Sequence, residues 1–160
     1  MTSFAKRSLG AVLAAGVVLG ACGGGTGSLS AAPGHDSPQA VLAGFIQAIK
    51  GKNLQPLCQY VAPASQSQCR SSLGAVKSGS IAVEGASIGN VSRQGNRALV
   101  VLMADKYCAG GKCYSNHDPN AGLPRGSETF NAAWSKAQTG TSQDPAAPVQ
   151  MVNGKWYLAS

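Results

Sequence analysis

The first residue whose type and position could carry chemistry is Cys22. It follows an uncharged, largely apolar run at residues 9–19, and the small residues Gly20 and Ala21 stand directly before it. The run is too short for a permanent membrane-spanning helix, which takes about 20 apolar residues. A basic start, a short apolar run and small residues are typical of a secretory signal peptide. Residues 1–21 are therefore predicted to be removed.

The four residues Leu19-Gly20-Ala21-Cys22 resemble the lipobox of bacterial lipoproteins. The resemblance implies that the Cys22 sulfur is linked to diacylglycerol and that the signal peptide is cut just before it. Two acyl chains hold a protein stably on a membrane, whereas one chain does so only marginally. The expected location is the extracytoplasmic face of a bacterial cell membrane, with the lipid as anchor. Two plainer interpretations are an ordinary signal peptide with a chance cysteine and a short buried helix.

The chain has 5 cysteines, and those beyond the lipobox form an even set. An even number of cysteines in an exported chain indicates disulfide bonds, and four cysteines allow three connectivities. We favour the local pairs, because each would lie within a different structural unit. These pairs are Cys58–Cys69 and Cys108–Cys113.

The second pair also suggests an alternative, a metal site. Cys108 and Cys113 are followed by His117 and Asp118, which are common ligand types. Their spacing matches no zinc pattern closely, and an oxidising compartment disfavours free thiolates. We therefore expect neither a bound metal nor a cofactor.

Few residues could act as acids or bases in an enzyme. The chain has 6 Asp and Glu residues and 2 His residues. No Ser-His-Asp order and no glycine-rich phosphate loop is present. The candidates for acid–base chemistry are Asp105, at the end of a predicted strand, and Glu84, Tyr60 and Tyr107.

The whole chain has a net charge of +7, and its basic residues beyond the signal peptide occur singly. Nucleic-acid-binding proteins concentrate such residues in runs or stripes, so no nucleic-acid partner is expected. A mild attraction to anionic lipid headgroups fits a domain that is tethered beside them.

Composition divides the mature chain into a tether and one domain. Residues 22–36 are mostly Gly, Thr, Ser, Ala and Pro, which predicts a flexible tether that leaves His35 unstructured. Residues 37–160 are predicted to form a single domain. It begins with a helix capped by Ser37, whose apolar positions share one face. Those positions are Val41, Leu42, Phe45, Ile46 and Ile49.

Strands dominate the second half of the chain. The side chains that face inward switch from one set of alternate positions to the other at Glu84 and Gly85. This change of phase predicts a β-bulge. The continuous apolar run at residues 98–103 predicts a central strand buried on both faces. Residues 108–126 are predicted to form a loop, and a helix is predicted from Ser127 to Gln138.

An Asn-Gly turn at residues 153–154 predicts a terminal β-hairpin. In that register Met151 lies opposite Trp156, and Val149 lies opposite Leu158, so all four face the core. The order of elements predicts the α+β class, with N-terminal helices packed on a curved, cone-like antiparallel sheet.

Three features resemble small secreted domains of the nuclear transport factor 2-like superfamily. They are the opening Ser37-Pro38 helix, the short segment containing Cys58 and the terminal sequence Val-Asn-Gly-Lys-Trp-Tyr-Leu at residues 152–158. In such domains an N-terminal helix packs into a cone of strands. The resemblance covers residues 37–160 and implies a fold but no functional residue, because one fold hosts many functions.

The sequence thus predicts a lipid-anchored envelope lipoprotein with a non-enzymatic binding domain. Its partner besides the membrane would be a small apolar ligand or another envelope protein. The alternative is a small cone-fold enzyme, similar to isomerases or dehydratases, that uses Asp105 and nearby tyrosines.

Overall fold

The computed structural model describes residues 34–52, 54–76, 80–109, 111–139 and 145–159. Cys22, the predicted signal peptide and most of the predicted tether lie outside these residues, so lipidation and cleavage stay predictions. The described chain has the predicted α+β class, with helices on a curved antiparallel sheet. The helices are α1 (Pro38–Lys50), α2 (Gln66–Leu73) and α3 (Phe130–Thr139). The strands are β1 (Ala82–Glu84), β2 (Ser87–Gln94), β3 (Arg97–Ala109), β4 (Lys112–Asn116), β5 (Ala146–Val152) and β6 (Lys155–Leu158).

Helix α1 forms as its sequence predicts. The Ser37 hydroxyl accepts a hydrogen bond from the Ala40 backbone N–H at 3.1 Å, and Pro38 occupies the first turn. The apolar stripe of the helix packs on the sheet, and every member except the half-buried Phe45 is buried. We call the sheet face that α1 covers the inner face.

Strand β3 lies at the centre of the sheet. It has 13 residues, and along each of its two edges it pairs with two shorter strands placed end to end. On one edge it pairs with β1 and β2, and on the other with β4 and β5, and β6 then pairs with β5. The apolar run forms the predicted central strand, and residues 98–101 are completely buried, whereas Leu102 and Met103 are half-buried. Trp156 and Val149 are buried on the inner face, with Met151 and Leu158 packed beside them, as the hairpin register predicts.

The phase change near Gly85 lies where the sequence predicts it. The pairing of β1 and β2 with β3 does not shift there, whereas the pairing of β3 with β4 shifts between Ala104 and Tyr107. Glu84 pairs with Lys106 and Ser87 with Met103, so the register stays constant across the break between β1 and β2. Both strands change phase together, and the true register shift on β2 lies between Ile88 and Val91. The strand pairing therefore shifts at two places in the described sheet, once on each edge of β3.

Two other predictions about the second half are wrong. Residues 108–126 are not all loop, because β4 folds back on β3 with Cys108 directly opposite Cys113. Helix α3 begins at Phe130 rather than Ser127, because the Thr129 hydroxyl accepts a hydrogen bond from the Ala132 N–H at 3.2 Å.

Helix α3 packs against the outer face of the sheet, opposite α1. Its Ala133 and Trp134 contact Leu99 and Ala146 in a small separate core. Among the described residues, no helix has the length and apolar character needed to cross a membrane.

His35 is packed against the domain, so the prediction that it is unstructured is wrong. Its backbone carbonyl accepts from the Trp156 N–H at 2.8 Å, and its Nδ1 lies 2.8 Å from the Trp156 carbonyl oxygen. Its ring lies 5.3 Å from the Tyr60 ring and 4.6 Å from the Tyr157 ring. These contacts cover the outer edge of β6, which would otherwise present unpaired backbone groups. The tether boundary at residue 36 stays a prediction, although ordered contacts begin before it.

Candidate functional site

A cavity of about 320 Å³ lies between α1 and the inner face of the sheet. It extends from the middle of β3 to the β3–β4 hairpin. Apolar side chains form most of its lining, which is the usual character of small-molecule sites. The residues from α1 and β1 are Leu42, Phe45, Ile46, Ile49 and Val83. Those from the other strands and the residues that flank them are Leu102, Ala104, Tyr107, Tyr114, Ser115, Asn116, Pro145, Ala147, Pro148, Leu158 and Ala159.

The apolar part of the lining follows from two periodicities. On α1 the lining residues recur every three or four positions, which places them on one helix face. On β3 the inner-face positions alternate, so Leu102 and Ala104 line the cavity while Val101 and Met103 do not. Both patterns therefore place apolar side chains around the same cavity.

The polar part of the lining comes from the β3–β4 hairpin. Tyr107 and Tyr114 are directly paired across the two strands. The Cys108–Cys113 disulfide joins the next pair of positions, so a covalent bond lies beside the two tyrosines. Ser115 is exposed, which shows that the cavity reaches the surface at this end.

Asn116 lies where β4 ends and β5 takes over the edge of β3. Its Nδ2 donates to the Leu102 carbonyl at 2.8 Å and to the Asp118 carbonyl at 3.2 Å, and its Oδ1 accepts from the Asp118 N–H at 3.1 Å. The Leu102 N–H donates to the Pro145 carbonyl at 2.8 Å. The polar groups at this junction are therefore satisfied within the protein.

The side chain of Tyr107 is partly removed from solvent. Burial raises the pKa of the Tyr107 phenol above its ordinary value of 10.0, because the anion would lose solvation. The phenol is therefore neutral at physiological pH and well beyond it. A neutral phenol is both a hydrogen-bond donor and an acceptor.

Asp105, the acid placed at a strand end by the sequence, lies outside the cavity. The phase change turns Asp105 and Lys106 outward together, and the Asp105 side chain is 71% exposed. It lies 3.8 Å from the His117 ring nitrogen. Its carboxylate lies over Gly85, where any side chain would overlap it, and Gly85 has a φ of +59°. The glycine thus creates the space that lets this acid point away from the cavity.

The other two acid–base candidates also have structural surroundings. Glu84 is exposed and pairs with Lys106 at 3.4 Å. Tyr60 is buried against α1, at a point where a side chain on Gly44 would overlap its ring. Neither residue lines the cavity.

Both favoured cysteine pairs form disulfides in the structure. Cys58–Cys69 joins the 3₁₀ turn Gln55–Tyr60 to α2, and Cys108–Cys113 joins β3 to β4. The alternative metal site would need the second pair as thiolates, and their sulfurs are bonded to each other instead.

Asp118, the acid of that alternative site, has other partners. It accepts from the Asn120 N–H at 2.9 Å and forms an ion pair with Arg125, and these interactions lower the pKa of its carboxyl. Across the part of the chain that the structure describes, no three His, Cys, Asp or Glu side chains cluster as metal ligands would.

No protein-family model and no curated protein matches the chain. Among solved structures, the chain is similar to the solution structure of a SEC-C motif containing protein from Rhodopseudomonas palustris. The match covers 78% of this chain and 77% of that one, at 14% identity and a TM-score of 0.44. Nothing about the function of this chain follows from so distant a likeness.

Sequence reasoning missed most of the polar side of the cavity. Tyr114, Ser115 and Asn116 fall in the stretch predicted as loop, because Lys112–Asn116 is short and mostly polar. One signal could have located them. Two cysteines five positions apart, with a Gly-Gly pair between them, fit a short hairpin closed by a cross-strand disulfide.

Proposed function

We propose that this protein is an exported lipoprotein, anchored through Cys22 at the extracytoplasmic face of a bacterial membrane, whose domain binds a small apolar ligand. The domain acts by binding rather than by catalysis. The observation that carries the proposal is the apolar cavity between α1 and the inner face of the sheet.

Size and lining support the binding part of the proposal. Small-molecule sites are commonly clefts of about 300–1,000 Å³, mostly apolar, with a few polar groups that orient the ligand. At about 320 Å³ the cavity lies at the small end of this range. Its polar groups are confined to the β3–β4 end, so a ligand would be oriented along the length of the cavity.

The proposed location rests on the sequence before residue 34 and on the cysteines. The lipobox supports lipidation of Cys22. The two disulfides support an oxidising compartment, because cytosolic thiols are kept reduced. Both lines of support agree with export.

The enzyme alternative finds little support in the described site. No Asp, Glu, His or Lys is among the lining residues. General acid–base catalysis needs a proton-transferring group within hydrogen-bond reach of the reacting atom, and of the four candidates only Tyr107, whose pKa is raised by burial, lines the cavity. The Asp105 side chain is exposed to solvent outside the cavity, so it would not reach a ligand in the cavity.

Native mass spectrometry of the mature protein tests the binding part. We expect a noncovalent small molecule to accompany the wild type and to be lost in an Ala147→Phe variant, whose larger side chain occupies the cavity. Ala137→Phe on α3 is the matched control, since Ala137 packs on the outer face. Equal ligand loss in both variants, or a co-purified protein with no small molecule, would contradict the ligand-binding proposal.

Membrane fractionation tests the anchoring part. Wild-type protein is expected in the membrane fraction with a diacylglyceryl mass on its amino-terminal cysteine, and Cys22→Ser is expected in the soluble fraction. A wild-type product that carries no lipid, or that retains Met1, would overturn the anchor without affecting the binding proposal.

A further inference from the structure

The chemistry of the cavity lining restricts the class of ligand, provided that the proposed binding function holds. The lining contains no ionisable acid, histidine, lysine or arginine. Burying an unpaired charge costs far more than burying a neutral polar group. The part of the ligand inside the cavity should therefore be uncharged.

Most polar groups around the cavity are not free to contact a ligand. Both N–H groups of the Asn116 amide donate to backbone carbonyls, and its oxygen accepts a backbone N–H. The Pro148 carbonyl accepts from the Ala159 N–H at 2.8 Å, and the Leu158 carbonyl accepts from the Ala62 N–H at 3.2 Å. The side-chain hydroxyls of the hairpin remain as the groups that could contact a ligand.

Tyr107 is the hydroxyl best placed to act on a ligand. It makes no hydrogen bond to any residue that the structure describes, and it is half-buried on the cavity lining. No side-chain oxygen of the described residues is both fully buried and without a partner, so the Tyr107 hydroxyl is in contact with open space. Burial also raises its pKa, which keeps the phenolic proton in place.

We propose that the cavity takes a neutral amphiphile, an aliphatic chain bearing an ester or similar carbonyl, and that the Tyr107 hydroxyl donates a hydrogen bond to its carbonyl oxygen. The aliphatic chain lies among the α1 side chains and Leu102. Tyr107 thus favours ligands that carry a hydrogen-bond acceptor, while the apolar lining supplies most of the binding affinity.

A competing arrangement would use charge. A second cavity of about 300 Å³ shares Ile49 and Val83 with the first, and Lys50 and Lys52 line it. A ligand could place an anionic head group against these exposed lysines and its aliphatic chain in the first cavity. This arrangement predicts a preference for a carboxylate over an ester, which is opposite to our proposal.

Three matched probes separate these possibilities: octane, methyl octanoate and octanoate. Their affinities for the full mature protein are measured by competition against an environment-sensitive dye. Tyr107→Phe removes only the hydroxyl under test. Tyr157→Phe makes the same chemical change beside His35, outside the cavity.

We expect the wild type to bind methyl octanoate most tightly of the three. Tyr107→Phe should weaken methyl octanoate about tenfold, the effect of one lost hydrogen bond, and leave octane unchanged. Tyr157→Phe should change neither affinity. An equal loss for octane and the ester in Tyr107→Phe, no loss for either, or tighter binding of octanoate than of the ester, would overturn the assignment of Tyr107 while the binding function stands. If a folded wild type binds none of the probes, both proposals fail.

Discussion

The two halves of β3 share one backbone but differ in nearly every other respect. Residues 97–101 pair with β2 and β5, and four of the five are completely buried. Residues 104–109 pair with β4 and, over residues 106–108, also with β1, and Leu102, Ala104 and Tyr107 line the cavity from one side. One half therefore supplies the rigid core and the other supplies the candidate site.

The difference originates in what covers each face. In the first half both faces are covered, by α1 inside and by Trp134 and Ala133 outside. In the second half the phase change at Asp105 turns two charged side chains outward, and only the inner face meets α1. A strand that is buried on two faces leaves no space for a ligand, whereas one that is half covered does.

The largest expected effect comes from truncating a side chain in the half of β3 that is covered on both faces. Leu99 is 0% exposed, and Leu99→Ala should lower the free energy of unfolding by about 3 kcal/mol, because it opens a cavity in packed surroundings. Leu102→Ala should cost about half as much, since its side chain already borders an open cavity. Urea unfolding measures both values. Equal costs would contradict the difference between the two halves.

The disulfides give a second contrast. Cys108 and Cys113 are 5 positions apart, and replacing both with Ser should cost about 2 kcal/mol in the chain-entropy model. Replacing Cys58 and Cys69, 11 apart, should cost about 3 kcal/mol. Only the first change should also weaken ligand binding, because that bridge lies beside the two cavity tyrosines. If both double variants bound ligand equally well, the bridge would have no part in shaping the cavity.

Gly85 tests the phase change itself. Gly85→Ala should destabilise by about 1–2 kcal/mol, because the backbone is left-handed there and the new methyl group overlaps the Asp105 carboxylate. In a double-mutant cycle, Asp105→Ala should recover part of this loss. Full additivity of the two substitutions would show that they do not contact each other.

The smallest expected effect is spectroscopic. Because burial raises the pKa of Tyr107, one of the chain's 4 tyrosines should ionise above the ordinary range in an ultraviolet titration. The stability linked to Tyr107 is complete below the unfolded pKa of 10.0 and is lost as pH rises through the folded pKa. Tyr107→Phe should remove this late transition and lessen alkaline unfolding. A late transition that survives in the variant would assign it to another tyrosine.

The sequence predicts the elements with a continuously buried face far better than it predicts the candidate site. The α1 stripe, the central strand and the Asn-Gly hairpin all have strong periods or turn signals and form as predicted, although burial on both faces of the strand ends at Val101. Local signals of this kind arise wherever one face of an element is continuously buried.

The candidate site lacks such signals. Strand β4 has five residues with alternating exposure but little apolar content, so its pairing depends on Gly111 and on the disulfide. The packing of His35 depends on Trp156, 121 positions away, and no local pattern encodes such a contact. The cavity itself results from the spacing between α1 and the sheet and is therefore a tertiary property.

The central claim is that a small ligand occupies the space under α1 and nowhere on the outer face. Methyl-labelled nuclear magnetic resonance spectra, recorded while methyl octanoate is added, test it most directly. We predict saturable shifts of the Leu42, Ile46 and Leu102 methyl signals, with Leu99 unchanged. Shifts centred on Leu99 and α3, or no saturable shift in any of these signals, would contradict the account.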